Sequence, residues 1–148
     1  MSAWRRTALE LLPDQRNLIE TSENPMALWI ELTPACEEAH SSGNQSAISG
    51  FYQFARWCWR STDADLRTAV ACGFYEHLPT MKTARKDMPR WFDRNSFNEL
   101  REVLSYHLTS DEAAEFEREF FGAKQKLLDE ALRPKLSRSN SRRTGKQP

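Results

Sequence analysis

The residues with the most chemical potential are three histidines, the acids near them, and three cysteines. Glu37-Glu38-Ala39-His40 holds one Glu-x-x-His, a spacing that puts carboxylate and imidazole on one helix face. Di-metal carboxylate bundles need two such motifs and two more carboxylates on facing helices, and no second Glu-x-x-His occurs. A solvated helix end is the plainer reading of that segment. Glu76 and His77 are adjacent, so on a helix they point in different directions and form no acid–base dyad by themselves. His77 precedes an expected helix C-terminus, where a cationic ring would suit the dipole and could bond terminal carbonyls. His107 has no Glu three residues before it. A small metal-dependent enzyme would therefore need Glu37, His40, Glu76 and His77 to converge in one pocket.

Cys36, Cys58 and Cys72 are widely spaced, form no C-x-x-C and sit in apolar helical patterns, so they are expected to be reduced core thiols. Nucleophilic catalysis finds no G-x-S-x-G and no activated Cys or Ser setting. Five glycines are too few for phosphate-cradling or dinucleotide loops. The expectation is a non-enzymatic protein with no cofactor and no metal.

The elements that must position these groups are helices. Sparse glycine argues against tight hairpins, and apolar residues recur at helical spacing along most of the chain. Asn24-Pro25 reads as an N-cap followed by proline at the first helical position. The helix from Pro25 to about His40 carries two apolar faces and is expected to be central. Pro34 inside it predicts a kink near Glu31–Thr33 or a break into two helices. Ile48, Phe51, Tyr52, Ala55 and Trp59 mark a further helix. Thr62 and Asp63 cap the next, where Gly73 predicts a close helix–helix approach and Leu78-Pro79 the end. Residues 80–94 read as mainly irregular. Ser96-Phe97-Asn98-Glu99 and Thr109 with Glu112 have the form of capping boxes. The last helix is expected to end before Pro134. The prediction is an all-α, single-domain helical bundle of about six helices, residues 1–132, with a disordered basic tail, residues 133–148. Trp29, Phe51, Phe74, Trp91, Phe116 and Phe120 are the expected core.

Charge is distributed unevenly. The 21 bases and 21 acids cancel over the whole chain, but six bases and no acid fall in residues 133–148. Residues 1–132 then hold 15 bases against 21 acids, an acidic body. Glu37, Glu38, Glu76, His77 and Arg90 are the candidate contacts for a protein partner, and an acidic surface suits a basic one. In the tail, Arg138, Arg142, Arg143 and Lys146 could touch a polyanion by charge alone. The tail has no aromatic residue to stack on bases, so sequence-specific reading of nucleic acid is not expected. A nucleic-acid accessory role through that tail is the alternative to protein binding. Mean hydropathy is −0.73. The basic start of the chain is interrupted at Glu10 and Pro13 before any signal-like apolar run develops, so the expected location is the cytoplasm, away from membranes.

Several stretches together carry a resemblance: Leu28-Trp29-Ile30-Glu31-Leu32, Trp57-Cys58, Phe74-Tyr75-Glu76-His77-Leu78-Pro79, Asp87-Met88-Pro89-Arg90-Trp91, Tyr106-His107-Leu108 and Glu119-Phe120. The chain resembles an uncharacterised bacterial family of small all-helical domains of unknown function, over about Leu11 to Gly122. Pro34 departs from the continuous helix that such relatives show. The resemblance implies a fold and imports no activity. By analogy alone, compact acidic proteins of this kind resemble immunity proteins that neutralise toxins.

Overall fold

The computed structural model describes the backbone of residues 1–144 and the side chains of residues 1–133. Eight α-helices and two 3-10 turns make an all-α bundle, with no strand among the described residues. The helices are α1 (Ala3–Leu11), α2 (Arg16–Thr21), α3 (Pro25–Ser42), α4 (Gln45–Trp59), α5 (Ala64–Gly73), α6 (Lys82–Trp91), α7 (Arg94–Leu104) and α8 (Ser110–Thr144). Pro13–Gln15 and Tyr75–Thr80 are the 3-10 turns. The helix count exceeds the six expected because α2 is only six residues long and α6 has no strong sequence signal.

Helix α3 is the axis of the fold, packing against α2, α4, α5 and α6. Asn24 accepts from the Ala27 N–H at 2.8 Å and Pro25 occupies the first helical position, as the sequence predicts. At the other end Gly43 takes φ +70°, and the αL conformation stops the helix. The helix is not broken at Pro34. Pro34 is exposed, and so is Ile30 (59% exposed), whose carbonyl loses its usual N–H donor to the proline ring. Water can replace that lost hydrogen bond on the solvent side, so the helix runs on.

Trp29 sits at the centre of the core, fully buried, stacked on Phe54 at 5.2 Å and on Phe74 at 4.8 Å between ring centroids. Gly73 makes this possible. A Cβ there would lie 2.8 Å from the Cβ of Trp29, so only glycine lets α5 approach α3 this closely. Thr33 Oγ1 reinforces the contact, donating either to the Trp29 carbonyl at 2.7 Å or to the Gly73 carbonyl at 2.6 Å. Phe51, Phe74, Phe116 and Phe120 are buried as expected. Trp91 is only partly buried, and its neighbour Phe92 takes the inward position.

Three further expectations need correction. Helix α5 ends at Gly73, six residues before Pro79, because Phe74 leaves helical geometry at φ −130°, ψ −69°. His77 and Pro79 therefore lie in the 3-10 turn. Residues 82–91 are helical, not irregular. Helix α7 starts at Arg94 with Asp93 as its N-cap, accepting from the Ser96 N–H at 2.6 Å. Glu99 consequently does not close a box with Ser96; its carboxylate accepts from the Trp59 indole N–H at 2.9 Å. The Thr109–Glu112 box forms as predicted, with reciprocal bonds of 3.0 and 3.2 Å.

Helix α8 rests on the body through Phe116, Phe120 and Phe121, which surround the Phe97 ring of α7. Its backbone continues past Pro134, where an end is expected, to Thr144. The basic tail side chains Arg138, Arg142, Arg143 and Lys146 lie outside the described residues.

Candidate functional site

Two clusters of polar side chains account for all three histidines, and the chain builds them differently. The first is buried. His40, in the last turns of α3, has no exposed side-chain surface. Its Nδ1 lies 2.8 Å from Asp87 Oδ2 on α6, and its Nε2 lies 3.0 Å from the Tyr52 hydroxyl on α4. The carboxylate can only accept, so Nδ1 carries the proton, and in the neutral form of the ring Nε2 would accept from the Tyr52 O–H. Asp87 takes a further hydrogen bond from the Trp91 indole N–H at 3.1 Å and a contact from Arg90 Nε at 3.4 Å. Burial pushes the Tyr52 hydroxyl well above its ordinary pKa, with the charges of Cys36 and Asp87 adding to the effect, so it stays protonated.

An oriented imidazole between a carboxylate and a hydroxyl has the composition of a catalytic triad. Its surroundings argue otherwise. The cavity beside Tyr52, lined also by Tyr75, Trp91 and Phe92, has a volume of about 20 Å³, enough for roughly one water. Every polar group of the network already has a partner. The network therefore fastens α3, α4 and α6 together.

Glu37 belongs to the same fastening. Its two carboxylate oxygens accept from the backbone N–H groups of Thr83 and Ala84 at 2.9 and 3.0 Å. These are free donors at the start of α6, whose own N-cap residue, Met81, supplies no side-chain bond. A carboxylate there also suits the positive end of the helix dipole. Glu37 is thus occupied inside the fold, while Glu38 remains exposed.

The second cluster lies at the surface. Glu76 and His77 come from the 3-10 turn after α5, and His107 from the turn between α7 and α8. Glu76 Oε1 is 3.0 Å from His107 Nε2 and 3.8 Å from His77 Nε2. The two imidazole rings stack, with centroids 5.3 Å apart and planes inclined by 26°. His77 Nε2 also donates to the Cys72 carbonyl at 2.9 Å, which caps the end of α5 as the sequence leads one to expect of a histidine there. One donor atom from each of the three residues falls within 4.8 Å of the others, a separation at which they could hold a metal ion.

Beside the cluster is a shallow cleft of about 370 Å³, lined by Ala71, Cys72, Glu76, Glu102, Val103 and Tyr106. Cys72 is exposed there, contrary to the expectation that all three cysteines are core thiols. Cys36 and Cys58 are buried, and burial pushes both thiols up to about 12. For Cys72 burial and then the Glu76 carboxylate raise the pKa, which disfavours a reactive thiolate.

The four residues Glu37, His40, Glu76 and His77 are therefore not brought together as one set: the first two join α6, and the last two join His107. Arg90 is exposed beside Asp87, apart from the Glu76 cluster's own contacts. Sequence reasoning missed His107 because its carboxylate partner is 31 residues away. No local spacing could have announced it.

No helix among the described residues is long and apolar enough to cross a membrane. No curated protein and no solved structure gives a match to the chain. A family match covers residues 6–108, taking in most of α1, all of α2 to α7 and all three histidines and leaving α8 outside, where the sequence resemblance is expected to extend to about Gly122. Spanning well over half of the chain, that match makes the protein a member of the family described as Domain of unknown function (DUF7674).

Proposed function

We propose that the domain is a non-enzymatic protein-binding module whose acidic body docks a basic protein, in the manner of immunity or antitoxin proteins by analogy. The observation that carries this reading is a set of unspent carboxylates. Glu10, Asp14, Glu23, Glu31 and Glu38 are exposed along α1 to α3 and enter no ion pair or side-chain hydrogen bond among the described residues. Carboxylates left unpaired produce a surface field that steers and selects a cationic partner. Ile30 gives that surface an apolar point, 59% exposed on the outer face of α3 next to Glu31. Glu37 is excluded from the docking set, because its carboxylate is used on α6.

Affinity capture from native lysate tests the proposal, comparing the full chain with the double variant Glu31→Lys/Glu38→Lys, each with and without nuclease. The expected result is a stoichiometric basic protein retained at low salt, released at high salt, indifferent to nuclease and lost by the double variant. Equal retention by the double variant, or recovery of nothing at low salt, defeats the proposal. Loss of all captured material on nuclease treatment makes the basic tail the working element instead.

A further inference from the structure

The Glu76 carboxylate has an unusual environment. Its side chain is only 13% exposed, and among the described residues its ion-pair partners are two imidazoles, with no Lys or Arg in the group. Glu102 lines the same cleft and adds a second acid. A largely desolvated carboxylate flanked by nitrogen donors and by no Lys or Arg is a setting that a metal cation would complete. The donor geometry is close to what an ion requires. Four-coordinate zinc holds nitrogen and oxygen at about 2.0–2.2 Å, which sets neighbouring donors about 3.3 Å apart. The two separations from Glu76 Oε1, 3.0 and 3.8 Å, bracket that figure. Small rotations of two side chains that are each about two-fifths exposed would equalise them.

We infer that Glu76, His77 and His107 form a mononuclear site for a divalent cation of the zinc class. Two imidazoles and one carboxylate favour such borderline ions over magnesium or calcium, which prefer all-oxygen sets. Both Nε2 atoms carry protons in the metal-free arrangement, since one donates to the Cys72 carbonyl and the other to Glu76. The cation replaces those two protons, each ring keeping or gaining a proton at Nδ1 and releasing any excess to solvent. Three protein donors leave one tetrahedral position for water or for a donor from outside. The ion would clip the 3-10 turn to the α7–α8 turn. This capacity is separate from the acidic docking surface and stands or falls apart from it.

The test is titration of the untagged full chain, stripped with chelator, with Zn²⁺ by calorimetry and with Co²⁺ by its visible ligand-field bands. The variants are Glu76→Gln, His107→Gln and Cys72→Ser. Wild type and Cys72→Ser are expected to bind one ion per chain with the bands of a four-coordinate site. Losing only an outer partner of a ligand typically weakens metal binding by about 10–100-fold, so Glu76→Gln and His107→Gln should each weaken it by at least about 100-fold. Far-UV circular dichroism confirms that the variants fold. Absence of binding to the wild type overturns the inference, and so does binding unaffected by Glu76→Gln and His107→Gln. Binding lost in Cys72→Ser but kept in those two variants overturns it as well.

Discussion

His40 and His107 each meet a carboxylate at hydrogen-bond distance, 2.8 Å to Asp87 and 3.0 Å to Glu76, yet the two settings are opposites. His40 has no exposed side-chain surface, both ring nitrogens have partners, and those partners lie on two other helices. His107 is 42% exposed, sits in a turn, and shares its carboxylate with a second imidazole. In the first setting every donor has found an acceptor and no room is left for a ligand. In the second the carboxylate is better buried than the rings that serve it, and a cleft lies alongside. The same pair of residue types thus holds the fold together at one place and leaves chemistry unspent at the other. Exposure and completeness of partners separate the two; residue identity does not.

The sharpest way to break this comparison is to truncate the buried member. His40→Ala strands the Tyr52 hydroxyl and removes a hydrogen bond from a partly buried carboxylate. It should cost about 3 kcal/mol, the sum expected for one neutral and one charged group left without a partner. For a chain of this size that lowers the melting temperature by roughly 6–12 °C. A thermal melt showing a loss below about 1 kcal/mol would mean the network is not the fastening described.

A middle case contrasts two ways of capping a helix. Glu37 serves α6 from 46 residues away, whereas Asp93 serves α7 from the adjoining position. Glu37→Ala should cost about 1.5 kcal/mol and Asp93→Ala about 1 kcal/mol at neutral pH, both read by urea unfolding. Hydrogen exchange should distinguish them further, since only Glu37→Ala should loosen α6. The Asp93 effect also carries a pH signature. The Ser96 backbone N–H bond holds its carboxyl below the ordinary 3.8, so the unfolded chain takes up the proton first on acidification. Its contribution is present in full above 3.8 and disappears as pH falls through the lower folded-state value. Wild type and Asp93→Ala should therefore converge in acid.

The smallest expected effect is the most diagnostic. His107→Ala takes the hydrogen-bond donor from Glu76 but removes a ring that is 42% exposed, so water can reach the carboxylate in its place, and the loss should stay under about 1 kcal/mol in metal-free buffer. A loss comparable with that of His40→Ala would show that the surface cluster is a fastening after all.

Those features of the fold whose partners are near in sequence were legible. Asn24 with Pro25, Thr109 with Glu112 and the glycine that admits Trp29 each announce themselves within a few positions or by a residue type that has few other uses. The start of α7 was misplaced: Ser96 with Glu99 has the form of a capping box, but Asp93, three residues earlier, is the cap. The geometry favours Asp93, because Glu99 is drawn to Trp59. Helix α6 escaped notice for a different reason: Lys82 to Trp91 holds four basic residues and an internal proline, and its capping acid is on α3. The candidate site was half legible. Glu76 and His77 stand side by side in the sequence, but the residue that makes them a set arrives from the other side of α7.

The distant cap has a consequence for how the chain is made. Ten residues are too few to stay helical alone in water, and α6 brings no capping side chain of its own. During synthesis from the N-terminus, Glu37 leaves the ribosome 46 residues ahead of Thr83. The acid that completes α6 is therefore already on the emerged chain when Lys82 to Trp91 follows. The segment needs no helical instruction of its own, because the chain made before it supplies the template.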